Sequence, residues 1–207
     1  YTAKYKKTLI MPVGVDVDSC RMDAPINRIP RSILFLGRLD SSKRPEVLID
    51  ALGILAKKNI DFTATFVGGP SKSDSDYPEK LRAQVESLNI SERVNFVGAV
   101  PNTETFKYYR SHDIFVNCSR SGMLDKTNFK ASACGCLVLV TSLDFADLVG
   151  HKFIFPENDS TMLSEKLTEF LAISQEERTN LTGQLSGFIK KHSLPILVER
   201  LAEIMKK

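Results

Sequence analysis

The chain has 207 residues, 43% of them hydrophobic and 26% charged, with a net charge of +3. That is enough apolar material for one sizeable core and too little chain for two full domains. The mild positive charge does not mark a nucleic-acid-binding protein, and the basic cluster Lys4, Lys6 and Lys7 reads as a solvated segment.

The four cysteines, Cys20, Cys118, Cys134 and Cys136, form no Cys-x-x-Cys pair and have no histidine at metal-ligand spacing. Free thiols in a reducing compartment, and no metal, are the expectation. No apolar run is long enough to span a bilayer, and no signal-peptide pattern stands at Tyr1. The opening TLIMPVGVD (Thr8–Asp16) reads as the middle of a longer chain.

From there, apolar runs alternate with amphipathic ones. SILFLG (Ser32–Gly37) is a buried strand, and PEVLIDALGILAKKN (Pro45–Asn59) a helix with Pro45 in its first turn. FTATFVGG (Phe62–Gly69) is a strand, YPEKLRAQVESLNI (Tyr77–Ile90) a helix, and RVNFVG (Arg93–Gly98) a third strand. TETFKYYRSH (Thr103–His112) is a short helix, DIFVNCS (Asp113–Ser119) a strand, and DKTNFKASACG (Asp125–Gly135) a helix stopped by its glycine. LVLVTS (Leu137–Ser142) is the fifth strand. FADLVG follows as a helical turn, and KFIF (Lys152–Phe155) as a short last strand. Beyond Ser160 the pattern is helical throughout. Ser160 with Glu165 makes only a loose cap, whereas Ser174 and Glu177 form a capping-box pattern.

Continuous Val, Ile, Leu and Phe strands are covered on both faces, and alternation with helices builds right-handed βαβ units. The fold class is therefore a doubly wound, Rossmann-like parallel α/β sheet with C-terminal helices. Ligands in such sheets bind beyond the carboxyl ends of the strands. Here those ends are Gly37-Arg38, Gly68-Gly69, Gly98-Ala99 and Cys118-Ser119.

Four stretches there carry chemistry. In GRLDSSKRPE, Gly37 lets backbone approach a ligand, while Arg38 and Lys43 supply a fork and a point charge for a diphosphate. Two cations on an exposed turn are the alternative. Lys43 is favoured over Arg44, which its neighbour Pro45 suggests turns outward. Gly68 and Gly69 leave an open strand end, followed by a polar run that reads as a loop or a plain linker. Gly98 offers backbone to a flat base. Finally, SGMLDKTNFKASACG places backbone amides from Gly122 to Asp125 at a helix start, an anion site. Asp125 is a natural N-cap, and Lys130 lies one or two turns in, where a lysine usually faces solvent. No G-x-G-x-x-G, Walker or G-x-S-x-G motif is present, which argues against dehydrogenases, P-loop enzymes and α/β-hydrolases.

The ordered set GVD, GRL…K…P, FVGG, V-x-F-x-G-x-V, D-x-FV and G-x-x-DK…A-x-ACG resembles the C-terminal domain of retaining GT-B glycosyltransferases, group 1 or family 4-like. The resemblance runs over nearly the whole chain. It implies a donor domain for a nucleoside-diphosphate sugar, over residues 31–192. Residues 1–30 would lead in from a missing acceptor domain that takes a glycan, lipid or other acceptor, and residues 193–207 would form a C-terminal helix.

It implies that Arg38 and Lys43 hold the donor diphosphate and stabilise its charge as it leaves. Gly37, Gly68, Gly69 and the segment Val97, Gly98 and Val100 would line the donor and base pocket. Ser121, Gly122, Met123, Leu124, Asp125 and Lys126 would form the loop meeting sugar and phosphates. No cofactor, metal or nucleic acid is implied, nor any protein nucleophile. The setting would be cytoplasmic, with membrane association, at the inner face, only through the missing part. An isolated donor half would be inactive.

One position departs from the pattern. Aligned on the family's E-A-M-A-C-G, KASACG places Lys130 where a ribose-binding glutamate belongs, and a lysine cannot accept a hydrogen bond from a hydroxyl. The first glutamate of the family pair falls on Gly122. A degenerate, non-catalytic partner or scaffold protein, and an unrelated α/β nucleotide-binding module, are the competing readings.

Overall fold

A computed structural model describes residues 14–17, 20, 27–120 and 125–206. Five strands form one parallel sheet: β1 (Ser32–Leu36), β2 (Thr63–Val67), β3 (Val94–Gly98), β4 (Ile114–Asn117) and β5 (Leu137–Val140), in the order β3-β2-β1-β4-β5. This is the doubly wound sheet expected from the alternation. Strand order reverses between β1 and β4, so the loops leaving those two strands diverge to opposite faces.

Helices α1 (Pro45–Lys57) and α2 (Tyr77–Ser87) cover one face together with α6 (Ser160–Ala172), which packs on α1. Helices α3 (Thr105–Ser111) and α4 (Lys126–Ala133) cover the other, with α7 (Gln175–Ile189) against α4. Helix α5 (Leu143–Val149) follows β5, and α8 (Leu194–Met205) ends the described chain. Before α8, Val15 pairs with the Ser193 junction: its N–H donates to His192 O at 2.9 Å and its carbonyl accepts from Leu194 N at 3.0 Å.

Strands β1, β4 and β5 are buried along nearly their whole length because almost every position is apolar, whereas the edge strand β3 is only partly buried. Ile33, Leu34, Ile114, Phe115, Leu137, Val138 and Leu139 are wholly buried. Register places Phe35, Phe66 and Phe96 side by side, with ring centroids 5.5 and 5.0 Å apart. Such stacking adds about 1 kcal/mol per pair beyond area burial.

Helix boundaries follow local chemistry. Asp125 caps α4 by accepting the Thr127 N–H at 3.0 Å. Gly135, at φ +81, ends that helix: its N–H reaches Ser132 O, and Cys136 N reaches Ala131 O, the paired bonds of a Schellman turn. Ser174 accepts from Glu177 N at 3.1 Å, so the expected cap of α7 is present, while the Glu177 carboxylate is taken by Lys152.

Two expectations are corrected. The cap of α6 is Asp159, which accepts Met162 N at 2.8 Å, and Ser160 is the first helical residue. KFIF is not a strand: His151–Phe153 is a 3-10 turn, and only an Ile154–Val140 bridge, with Phe155 N–H on Val140 O, touches the sheet. Pro156 has no N–H to carry the ladder further.

Beyond Phe66 the β2–β3 register shifts, so that Val67 pairs with Gly98 and Val97 is the extra residue. Gly68 N–H then donates to Gly98 O at 2.9 Å. Gly68 has φ +146, and a Cβ there would stand 1.7 Å from Gly37 O. No side chain fits that crossing. Gly68→Ala should cost about 3 kcal/mol or more, read by urea denaturation, through backbone strain and steric displacement of β1. Gly183→Ala is the control: it is helical, a Cβ there meets nothing within 4 Å, and it should gain up to about 1 kcal/mol.

Candidate functional site

The carboxyl ends of β1, β2 and β3 are stitched by backbone bonds: Gly37 N to Val67 O (3.0 Å), Leu39 N to Gly69 O (2.8 Å) and Gly68 N to Gly98 O. Beside them opens a mainly apolar cavity of about 210 Å³, lined by Leu36, Gly37, Arg38, Val67, Gly68, Gly69, Ala99, Val100 and Thr105. It brings together five of the residues singled out in the sequence: Gly37, Arg38, Gly68, Gly69 and Val100. Val97 and Gly98 stand outside its lining, within the bulge that sets the register. Leu36, Val67, Ala99 and Thr105 are additions from the fold. Their side chains are ordinary in sequence, and only the pairing of strand ends assembles them.

The loop from β1 into α1 is organised by Asp40, a buried carboxylate that sequence reading passed over. It accepts from Ser42 N at 3.1 Å and Ser42 Oγ at 2.6 Å, and its carbonyl accepts from Lys43 N and Arg44 N. The Asp-x-Ser spacing was the available signal, since such residues close short turns on themselves. Arg38 extends from this loop with its side chain 60% exposed, 3.3 Å from Asp40, keeping most of its guanidinium donors open.

Arg44 does not turn outward, contrary to expectation. It is 8% exposed and pairs with Glu157 at 3.0 Å. Its left-handed backbone (φ 48) turns the chain into α1 ahead of Pro45 and carries the side chain inward. The polar run after Gly69 is anchored too: Asp74 accepts the Ser41 hydroxyl at 3.2 Å, and the Tyr77 hydroxyl reaches Glu46 at 2.5 Å. Burial, reinforced by the Glu46 carboxylate, pushes the Tyr77 phenol above its usual range.

Lys43 reaches across the sheet's switch point to Asp125, with Nζ 2.5 Å from Oδ2 and both side chains about 15% exposed. Its stem lies 4.0 Å from where a Gly37 Cβ would be. Asn117, buried at the end of β4, holds the far side of the pair. Its Nδ2 donates to Asn128 Oδ1 at 2.8 Å and lies 3.3 Å from Asp125 Oδ2, and its Oδ1 accepts Ser119 N. Burial pushes the Asp125 carboxyl up, but the Lys43 ammonium and the Thr127 N–H outweigh it and hold the group below its ordinary value.

Lys126 opens α4 and is exposed. Lys130 is half-buried: its Nζ donates to Asn102 Oδ1 at 3.0 Å and lies 5.3 Å from the Phe106 ring centre. It therefore spans from α4 to the segment beyond β3, near the Thr105 wall of the cavity. Ser121, Gly122, Met123 and Leu124 lie outside the described residues. The four cysteines are buried thiols, and burial raises the Cys136 thiol to about 11. No described helix is long and apolar enough to cross a membrane.

A carboxyl whose folded-state value is depressed stabilises the fold above its unfolded value and loses that contribution as pH falls through the folded value. Asp125→Asn should therefore cost about 2 kcal/mol near neutral pH, by leaving the Lys43 ammonium without its partner. In urea denaturation the gap between the two proteins should hold from about pH 7 to about pH 5 and close in stronger acid. A pH-independent gap would mean that the charge of Asp125 is immaterial.

Comparison with known proteins accords with this architecture. The chain is 29% identical over 153 residues to the D-inositol 3-phosphate glycosyltransferase of Acidothermus cellulolyticus, covering 67% of this chain and 34% of that protein. A Mycobacterium protein of the same name is 30% identical over 138 residues, covering 63% and 30%. The chain thus spans about a third of the length of the curated relatives it matches.

Among solved structures, Anabaena Alr3699/HepE in complex with UDP and glucose superposes with TM-score 0.81 at 18% identity, over 97% of this chain and 57% of that one. The C-terminal domain of the glycosyl transferase group 1 family protein LpcC from Francisella tularensis superposes at 0.72 with 21% identity, over 87% of this chain and all of that one. The family model described as "Glycosyl transferases group 1" matches residues 30–172. By that match, which takes in all five strands and helices α1 to α6, the chain belongs to the group 1 glycosyl transferases.

Proposed function

We propose that this chain is the donor-binding domain of a retaining, family 4-like glycosyltransferase that moves a hexose from a nucleoside-diphosphate sugar to a glycan, lipid or other acceptor. The observation carrying this reading is the apolar cavity at the strand ends with Arg38 in its wall and Lys43 beside it. A flat base against Gly37, Gly69 and Val100 leaves its diphosphate directed toward Arg38 and Lys43. UDP-glucose is the first donor to test, because the superposed Anabaena protein was solved with UDP and glucose.

In this reading the bond between the sugar's anomeric carbon and the diphosphate oxygen breaks and its electron pair goes to the diphosphate, while an acceptor hydroxyl oxygen bonds to that carbon on the same face and gives its proton to the departing diphosphate. Arg38 and Lys43 stabilise that growing charge in place, which lowers the barrier electrostatically. The diphosphate competes with the Asp125 carboxylate for Lys43, so Asp125 holds the ammonium aimed at the crevice. The unmatched two thirds of the relatives would supply the acceptor side. The exposed apolar stripe Leu194, Val198, Leu201 and Met205 on α8 supports packing against a further part. Without that part, transfer is not expected. Polysaccharide assembly at the cytoplasmic face of a membrane is the setting that fits such a reaction.

Lys130 motivates a second reading, a non-catalytic relative serving as partner or scaffold. Its ammonium is committed to Asn102 and the Phe106 ring, where the family pattern has a carboxylate.

Calorimetric titration with UDP, GDP and ADP decides between them. The donor reading expects saturable binding of one of these, weakened about tenfold or more by Arg38→Ala and by Lys43→Ala, as loss of a charge-assisted contact implies. No saturable binding of any of the three would favour the scaffold reading. Lys130→Glu should change the affinity, and an unchanged value would remove position 130 from the nucleotide site.

A further inference from the structure

At the opposite, amino end of the sheet lies a cavity of about 360 Å³, lined by Arg28, Arg31 and Arg178 with Asp113, Gln175 and an apolar wall of Pro30, Ile114, Phe170, Leu171 and Ile173. Three guanidiniums face one carboxylate there. Asp113 already serves two neighbours: Oδ2 accepts Arg31 N at 2.7 Å, and Oδ1 pairs with Arg178 Nη2 at 3.1 Å. The other nearby acid, Asp61, lies 3.9 Å from Arg31 and is 82% exposed, so solvent screens it.

The arginines are held rigidly by backbone carbonyls. Arg28 donates to His112 O and to Cys134 O, Arg31 to Asp61 O and Leu171 O, and Arg178 to Asp113 O. Those bonds leave donors over. These carbonyl bonds use Nη1 and Nη2 of Arg28, Nε and Nη1 of Arg31, and Nη2 of Arg178, a minority of the fifteen N–H groups the three guanidiniums carry. Burial pushes the Arg178 guanidinium below its ordinary value. Asp113 opposes that shift, and the neighbouring charge of Arg28 adds to it. The fold thus keeps like charges close together without enough carboxylate to balance them, an arrangement that an anion stabilises.

We propose that this amino-end cavity binds a small phosphate monoester, with its phosphate on Arg28, Arg31 and Arg178 and its organic part against Phe170, Leu171 and Ile173. Guanidinium forks match phosphate oxygens in geometry as well as charge. Five heavy atoms of a phosphate, at about 30 Å³ per water-sized group, fill less than half of the space, which leaves room for a compact organic body. The site does not rest on the donor-site reading, since it lies across the sheet from Arg38 and Lys43.

The test is side-chain NMR of the protein's arginine Nε–H groups during titration with inorganic phosphate and with phenyl phosphate. Signals of Arg28, Arg31 and Arg178, assigned by single substitution, should shift saturably with both ligands, and phenyl phosphate should bind more tightly. Arg178→Gln should weaken binding about tenfold or more. Because that change also disturbs the pair with Asp113, Arg31→Gln serves as the milder variant. Its backbone bond to Asp113 survives, and it should weaken phosphate binding severalfold while the cooperative unfolding transition is kept. Shifts confined to Arg38, or none at all, would overturn the proposal. Equal affinity for the two ligands would overturn its apolar half.

Discussion

The Lys43–Asp125 ion pair spans the place where this sheet changes direction. Lys43 comes from the loop after β1, which runs to one face, and Asp125 from the start of α4, on the other. In a doubly wound sheet the loops at this point part and leave a crevice. A contact of 2.5 Å bridges it here, backed by Asn117 from β4 and by the Asp40-centred turn after β1. Its two charges are mostly removed from water, so each needs the other. The pair therefore bridges the two halves and holds the largely covered Lys43 at the crevice.

Around that bridge the strand ends are arranged by backbone rather than by side chains. Gly68 crosses Gly37 too closely for any Cβ, and the bulge at Val97 turns Gly98 toward Gly68. The result is a shallow apolar floor with a cation at its edge. The same sheet presents the reverse character at its amino end, where Arg28 and Arg31 from the segment before β1 meet Arg178 of α7 around Asp113. Each end thus carries arginine over a structured base, matched by acids at the carboxyl end and outnumbering them in the lining of the amino-end cavity. They differ in kind: Arg38 is exposed and loosely held, whereas Arg28 and Arg178 are pinned by carbonyls.

Much of this was legible in the residues. Continuous apolar strands, Pro45 at a helix start, Ser174 at another and Gly135 at a helix end each act through contacts within a few residues, so their signals survive in the linear chain. The placement of Arg38, Gly68 and Gly69 at one end of the sheet followed from strand polarity alone, while Val100 was pointed to by the family resemblance. The misreadings share one cause. Arg44 looked outward because of its neighbour, and its real partner, Glu157, lies 113 residues away. KFIF looked like a strand because it is apolar, but it is apolar to fill space beside β5, and Pro156 stops its pairing.

The sequence by itself determined the parallel, doubly wound architecture and the presence of Arg38 and Lys43 beyond the carboxyl end of β1, and it set a lysine at position 130. The architecture depends on periodicity, on turn chemistry and on the handedness of βαβ units, all local properties, whereas the anomaly at position 130 shows only against the family pattern. Tertiary structure alone decided that Lys43 faces Asp125, that Lys130 bends to Asn102 and Phe106, and that Arg28, Arg31 and Arg178 converge on one cavity. Each of those joins groups from distant parts of the chain. Their pairing is fixed by how the helices pack on the sheet, which no spacing along the chain records.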